Sequence, residues 1–307
     1  MSRQGRWAIV LAAGEGSRLR PLTRLLHGDA RPKQFATIVG GRSLLQATLA
    51  RTRAFAPPSQ TVVVVAREHE ALARSQLAEA RDVHVLVQPA NLGTAVGIAY
   101  PLAYLRAVAG DAEVAIFPSD HHVSRPERFA DGVATALAEG DGAPTLIGVA
   151  AVRADPQLGW IVPGRRRGAA THDIERFVEK PPAAVARSLF ARDALWNTFV
   201  LVGGTGALWR LAEIHVPELA RAFAACPDLR SRLHVDALYR RLEPVDFSRA
   251  VLERAAGLRV TRVERCGWAD WGTPERVIAS LDGSPELEPL LRRMLDGRRR
   301  ALLAAAA

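Results

Sequence analysis

The residues of this chain best suited to chemistry stand where apolar runs stop. The run Ala8–Leu11 is followed by Ala12, Ala13, Gly14, Glu15, Gly16, Ser17 and Arg18. Glycine adopts positive φ and has no side chain to block a guest, so such a loop lets backbone N–H groups converge on an anion, phosphate above all. The stretch lacks the Gly-x-x-x-x-Gly-Lys-Ser/Thr spacing of a P-loop, and Leu19 stands where a dinucleotide fingerprint has its third glycine. Taken alone, it is equally a plain strand-to-loop turn. Farther on, Pro32 stiffens the chain ahead of Lys33. The run Glu113–Phe117 leads through Pro118 and Ser119 to Asp120, and Asp270 lies between Trp268 and Trp271, ahead of Gly272 and Pro274. Carboxylates at strand ends suit Mg²⁺, which takes one or two of them and fills its octahedron with water and phosphate oxygens. Alone, Asp120 is as readily a helix cap or Asx-turn, and Asp270 a turn residue. His121 and His122 lack a third ligand at zinc spacing.

The two lysines, Lys33 and Lys180, stand out because Lys and Arg together number 41. A chain that writes arginine almost everywhere keeps a compact, flexible point charge at only two places, and such a charge can follow a moving phosphate where a planar fork does not fit.

The elements that must position these residues alternate. Strand-like runs span Trp7–Leu11, Thr61–Val65, Val83–Val87, Glu113–Phe117 and Thr145–Ala151. Helix-spaced segments between them cover Ser43–Phe55, Glu68–Ala80, Thr94–Val108 and Pro126–Glu139. Strands buried on both faces and separated by helices predict an α/β fold, a doubly wound and mostly parallel sheet with right-handed crossovers and a Rossmann-like core. In such sheets ligands bind beyond the carboxyl ends of the strands. After Ala151 the rhythm changes. Short strands at Trp160–Val162 and Ile174–Val178 precede a helix at Ala183–Phe190 and a strand at Trp196–Val202. Helices follow over Gly206–Ala225 and Ser231–Leu242, then a strand at Arg259–Val263 and a helix from Pro274. The chain divides into a catalytic domain over residues 1–282 and a helical tail over 283–307 whose terminal alanines are expected to fray.

With 307 residues, 49% of them hydrophobic and 24% charged, the chain can bury a substantial core. Its apolar runs are too short for a membrane span or a signal peptide, so a cytoplasmic location is expected. Cys226 and Cys266 have no partner at metal-ligand spacing and read as reduced thiols. The net charge of +9 is spread along helices, apart from Arg165–Arg167 and Arg298–Arg300. Neither cluster is interleaved with aromatic residues, which disfavours a nucleic-acid partner and leaves acidic small molecules.

These residues together form a recognisable set. The chain resembles the sugar-1-phosphate nucleotidyltransferases and, within them, the mannose-1-phosphate guanylyltransferases. The resemblance rests on LAAGEGSRLRPLT, RPKQF, SLLQATLAR, QPANLGTAVGI, FPSDHHV, FVEKP, LWNTFVLV, DFSRAVLER and WADWGT, which follow the family's order from about residue 7 to 282. PKQF and PSDH are the segments that point to the mannose branch.

The resemblance implies a site. Leu11, Ala12, Ala13, Gly14, Gly16 and Ser17 would cradle a nucleoside triphosphate, with Gln88, Gly93 and Thr94 near its base. Arg18 and Lys33 would be the catalytic cations, and Asp120 and Asp270 would hold Mg²⁺. Lys180 would bind the sugar phosphate, with Gly159, Glu179 and Asn197 facing the sugar. The expected reaction joins GTP and mannose 1-phosphate into GDP-mannose and pyrophosphate. Uridylyl or thymidylyl transfer to glucose 1-phosphate, and a non-catalytic nucleotide-sugar sensor, are the alternatives. The partners are then small molecules, without nucleic acid or membrane, and a homo-oligomer is left open. The chain departs from the branch in three places. Gly93-Thr94 replaces Asn-Thr, Gln157-Leu158-Gly159-Trp160 replaces Gly-Tyr-Gly-Tyr, and Thr198-Phe199 replaces Ser-Gly after the asparagine.

Overall fold

A computed structural model describes residues 5–305. Strand β1 (Arg6–Ala12) leads through a short 3₁₀ turn into α1 (Arg20–His27) and then α2 (Leu44–Thr52). Ser43 caps α2 in a capping box with Gln46, each side chain bonding the other's backbone N–H. Strand β2 (Thr61–Ala66), α3 (Glu70–Gln76), β3 (His84–Gln88), α4 (Gly93–Val108), β4 (Glu113–Pro118), the short β5 (His122–Val123), α5 (Pro126–Glu139) and β6 (Thr145–Ala150) complete the first half. The helix expected over Glu68–Ala80 is shorter because Arg67–His69 form a separate 3₁₀ turn after β2.

The second half runs through β7 (Gly159–Arg166), β8 (Thr171–Glu179), α6 (Ala183–Ala191) and β9 (Leu195–Gly204). It continues with α7 (Thr205–His215), α8 (Pro217–Ala224), α9 (Arg232–Tyr239), β10 (Arg259–Val263), β11 (Trp268–Ala269), α10 (Pro274–Ser280) and α11 (Leu287–Ala305). The nine-stranded sheet has the order β3-β2-β1-β4-β9-β6-β10-β8-β7, with β7 also touching β9, while β11 and β5 form a small second sheet. The pairings make β1, β2, β3, β4, β6, β7 and β10 point one way, and β8 and β9 run against them. The fold is therefore α/β with a large, mostly parallel sheet.

Alternation along β1 shows why both faces are covered. Trp7 and Ile9 pack in the cluster that includes α4 residues, while Ala8 and Val10 join clusters on the opposite face. Val62 and Val64 follow the first pair and Val63 and Val65 the second, all fully buried. Each such side chain contributes roughly 1.5–3 kcal/mol by leaving water. This rigid layer fixes where the strand-end loops emerge.

The helical tail is docked. Gly297 on α11 lies so close to α1 that a Cβ there would fall 1.9 Å from the Leu25 carbonyl oxygen. Arg293 donates to the carbonyls of Thr37 and Ile38 at 2.8 and 2.9 Å. The last residues of the tail, 306 and 307, lie outside the described residues. Among the described residues no helix is long and apolar enough to cross a membrane.

Candidate active site

The loop after β1 is held from below. Ser119, in the turn after β4, donates its backbone N–H and its hydroxyl to the Leu11 carbonyl at 3.1 and 2.7 Å. Gln34 Nε2 donates to the carbonyls of Ala12 and Gly14 at 3.1 and 2.6 Å. With these carbonyls occupied, the backbone N–H groups of Gly14, Glu15, Gly16 and Ser17 have no hydrogen-bond partner among the described residues. Gly16 needs its freedom twice over: its φ is +56°, and a Cβ would fall 2.8 Å from the Lys33 backbone nitrogen. Sequence reasoning does not single out Gln34, although it lies inside the RPKQF segment.

Lys33 joins the Asp120 and Asp270 segments, through the carboxylate of the first and the backbone of the second. Its side chain is buried, and Nζ donates to the Asp270 carbonyl at 2.6 Å while standing 3.1 Å from Asp120 Oδ2. Burial pushes the Asp120 carboxyl up, but the Lys33 ammonium, His121 and hydrogen bonds to the carboxylate together hold the group below the usual carboxylate range. His121 is pushed down by burial, with Asp120 opposing. Its Nδ1 accepts a hydrogen bond from Trp268 Nε1 at 3.3 Å. His122 stacks on Trp271 with ring centroids 4.2 Å apart, and burial lowers it to about 4. The aromatic partners of the two histidines lie in β11, for Trp268, and two residues beyond it, for Trp271, and the β5–β11 pairing holds the Asp120 and Asp270 segments together.

Asp270 Oδ2 accepts from Arg276 Nη1 at 2.7 Å. Arg18 lies alongside: a Cβ on Gly272 would be 2.6 Å from Asp270 Oδ2 and 3.3 Å from Arg18 Nη2. Arg18 is exposed, and its Nη1 donates to Gln157 Oε1 at 2.8 Å. That contact reaches across to the loop leading into β7, two residues ahead of Gly159.

Gly159, Glu179 and Asn197 meet there. A Cβ on Gly159 would fall 2.8 Å from Glu179 Oε2 and 3.3 Å from Asn197 Cβ. Burial raises the Glu179 carboxyl, with the adjacent Lys180 ammonium opposing from 3.2 Å. Lys180 is exposed with φ +45°. Asn197 is buried, and its Oδ1 accepts from Phe199 N at 3.0 Å. Phe199 stands where the resembled branch has glycine, and its φ of +60° explains that preference. The turned backbone coincides with the register shift between β6 and β9.

Gln88, Gly93 and Thr94 stand apart, at the end of β3 and the start of α4. Gln88 is buried with its Nε2 unpartnered. Gly93 serves packing, since its φ is +85° and a Cβ would strike the Val245 carbonyl oxygen at 2.4 Å. The Thr94 hydroxyl accepts from Phe247 N at 2.8 Å. No hydrogen bond joins this group to Arg18 or Lys33 among the described residues.

Hard oxygen donors define what the centre can hold. The Lys33 ammonium already lies between the Asp120 carboxylate and the Asp270 backbone carbonyl, and with the Asp270 carboxylate on the same residue these hard oxygen donors are of the kind a divalent ion takes while leaving its other positions to phosphate.

The family model for nucleotidyl transferases matches residues 7–280. The chain is 30% identical over 277 residues to the xanthan biosynthesis protein XanB of Xanthomonas campestris, covering 86% of this chain and 57% of that protein. It is 28% identical to the mannose-1-phosphate guanylyltransferase ManC of Salmonella typhimurium, covering 87% and 58%. The chain thus spans less than two thirds of the length of these curated relatives. A crystal structure from Thermus thermophilus, described as a mannose-1-phosphate geranyltransferase, superposes with a TM-score of 0.80 at 29% identity, covering 91% of this chain and 80% of that one.

Proposed function

Because the chain belongs to the nucleotidyl transferase family, we propose that it transfers a guanylyl group from GTP to mannose 1-phosphate, giving GDP-mannose and pyrophosphate. A phosphate oxygen of the sugar phosphate attacks the α-phosphorus of GTP. One P–O bond forms there as the bond to the β-phosphate oxygen breaks, and the electron pair leaves with pyrophosphate. The attacking oxygen is already anionic, so no general base or protein nucleophile is required. The chain's task is positioning and charge neutralisation.

The observation that carries this reading is the meeting of Arg18, Lys33, Asp120 and Asp270 at the ends of strands, beside a second cluster of Gly159, Glu179 and Asn197. The free N–H groups of the 14–17 loop suit a triphosphate, Arg18 and Lys33 suit the charge that grows on the departing pyrophosphate, and Lys180 suits the incoming phosphate. Asp120 and Asp270 would hold Mg²⁺, which when bound neutralises phosphate charge and brings the two substrates together. The names of the Salmonella and Thermus relatives support mannose 1-phosphate as the acceptor.

The base is read less directly. Gln88 both donates and accepts, so it suits guanine, uracil or thymine. A site bonding guanine's N1–H and amino group rejects uracil by roughly 1–3 kcal/mol for each unmet group. A panel of nucleoside triphosphates and sugar 1-phosphates, read by pyrophosphate release, tests this. We expect GTP to exceed UTP and dTTP by at least about tenfold in kcat/KM. Comparable use of UTP would favour uridylyl transfer, and nucleotide-sugar binding without pyrophosphate release from any pair would favour a sensor.

A further inference from the structure

Asp155 is a carboxylate in the interior, 4% exposed, and it has more cationic partners than its burial demands. Arg153 alone reaches its Oδ2 through Nη2 and Nε at 2.9 and 3.2 Å. Arg276 Nη2 nevertheless donates to both of its oxygens, at 2.6 and 2.7 Å, while Arg276 Nη1 donates to Asp270 Oδ2 at 2.7 Å. One planar guanidinium therefore fixes the separation and angle of two carboxylates that lie on different segments, which a lysine's point charge cannot do. The connection continues. Asp155 Oδ1 accepts from Gln157 N at 2.9 Å, and Gln157 Oε1 accepts from Arg18 Nη1 at 2.8 Å. The indole of Trp160 anchors the same loop by donating to the Asp155 carbonyl at 2.9 Å.

We propose that Arg276 and Asp155 form a positioning pair that aims the Asp270 carboxylate and ties its setting, through Gln157, to that of Arg18. The proposal rests on the nucleotidyl-transfer reading above and adds to it two residues that act through Asp270 and Arg18. Arg276 holds one oxygen of Asp270 and, among the described residues, leaves the other without a hydrogen bond and open to a cation. It also offsets part of the Asp270 charge, so the orientation it gives comes with weaker attraction for a cation in the ligand-free chain.

That combination yields opposite signs in one experiment. In Arg276→Met the full-length chain should bind Mn²⁺ alone about threefold more tightly, measured by the loss of the free Mn²⁺ electron paramagnetic resonance signal. In the same variant kcat should fall at least tenfold, with KM for the nucleotide changed less than about twofold. Arg276→Lys, which keeps the charge without the fork, should leave Mn²⁺ affinity near wild type and still lower kcat; it also serves if the methionine variant folds poorly. Parallel losses of Mn²⁺ affinity and kcat in Arg276→Met would make Arg276 a structural brace only and overturn the proposal. So would unchanged kcat in both variants. A wild-type chain that turns over no substrate pair, yet shows the Mn²⁺ difference, would refute the transfer reading and leave the positioning of Asp270 standing.

Discussion

Adding one methyl group at Gly159 isolates the sugar side of the cleft. In Gly159→Ala the new carbon would lie 2.8 Å from Glu179 Oε2, 3.1 Å from Phe177 Cζ and 3.3 Å from Asn197 Cβ. Ordinary contact begins near 3.4 Å, so the Glu179 carboxylate must retreat by about 0.6 Å while the Phe177 ring and Asn197 yield a few tenths. The position does not have positive φ, so the backbone accepts alanine. Overpacking costs about 1–3 kcal/mol, and the low end applies because the closest atom ends a flexible side chain. The site is less tolerant than the fold, since a misplacement of about 1 Å costs up to roughly a hundredfold in rate. We expect kcat/KM for the sugar 1-phosphate to fall about ten- to fiftyfold, with KM for the nucleotide changed less than about twofold and the melting temperature lowered by only a few degrees. Steady-state kinetics with each substrate varied in turn, alongside thermal unfolding, reads all three. Unchanged use of the sugar phosphate would refute the placement of the sugar between Gly159, Glu179 and Asn197.

Other perturbations reach the remaining parts of the site. Asp120→Asn and Asp270→Asn should each remove turnover in Mg²⁺ while leaving circular dichroism unchanged, a loss of several kcal/mol at the transition state; near-normal turnover in a folded variant would remove that residue from the metal set. Lys33→Arg should slow the chemical step, because the larger planar fork does not fit the buried space that the compact ammonium fills between Asp120 and the Asp270 carbonyl, whereas Lys180→Arg should chiefly raise KM for the sugar phosphate; equal effects on both parameters in both variants would erase the division. His122 has a folded-state pKa of about 4, below its ordinary value of 6.5, because of burial and then the nearby Arg51 cation. The neutral ring is thus the form the fold favours. Protonating it inside the fold costs about 3 kcal/mol, so stability is complete above pH 6.5 and is lost progressively as pH falls toward 4. Urea unfolding of His122→Phe, which keeps an aromatic ring against Trp271, should be less steeply pH-dependent than wild type across that window, and identical slopes would count against the assignment.

Much of this arrangement is legible in the sequence because it is local. The small residues after β1, the Pro-Ser-Asp turn after β4 and the Pro-initiated α5 carry their signals within a few positions, and α5 spans the predicted Pro126–Glu139. The two lysines are legible as exceptions to the arginine usage. What stays hidden depends on distant pairing. Arg276 and Asp155 are 121 residues apart, and neither neighbourhood hints that one fork spans Asp155 and Asp270. Insertion of β9 between β4 and β6 follows from crossovers that apolar runs do not record. The docking of α11 on α1 depends on a backbone approach at Gly297 that looks, in sequence, like an isolated glycine in a charged helix. Gly93 illustrates the converse: its sequence setting suggests a contact to the base, yet the approach of the Val245 carbonyl already accounts for it.

Transfer of the α-phosphoryl group is the central claim, and the fate of a label there tests it most directly. Incubation of the chain with GTP carrying ³²P at the α-position, mannose 1-phosphate and Mg²⁺ should move the label into GDP-mannose and release unlabelled pyrophosphate, and Asp120→Asn should do neither. Label that stays in GTP, or appears only as free GMP, would contradict the account.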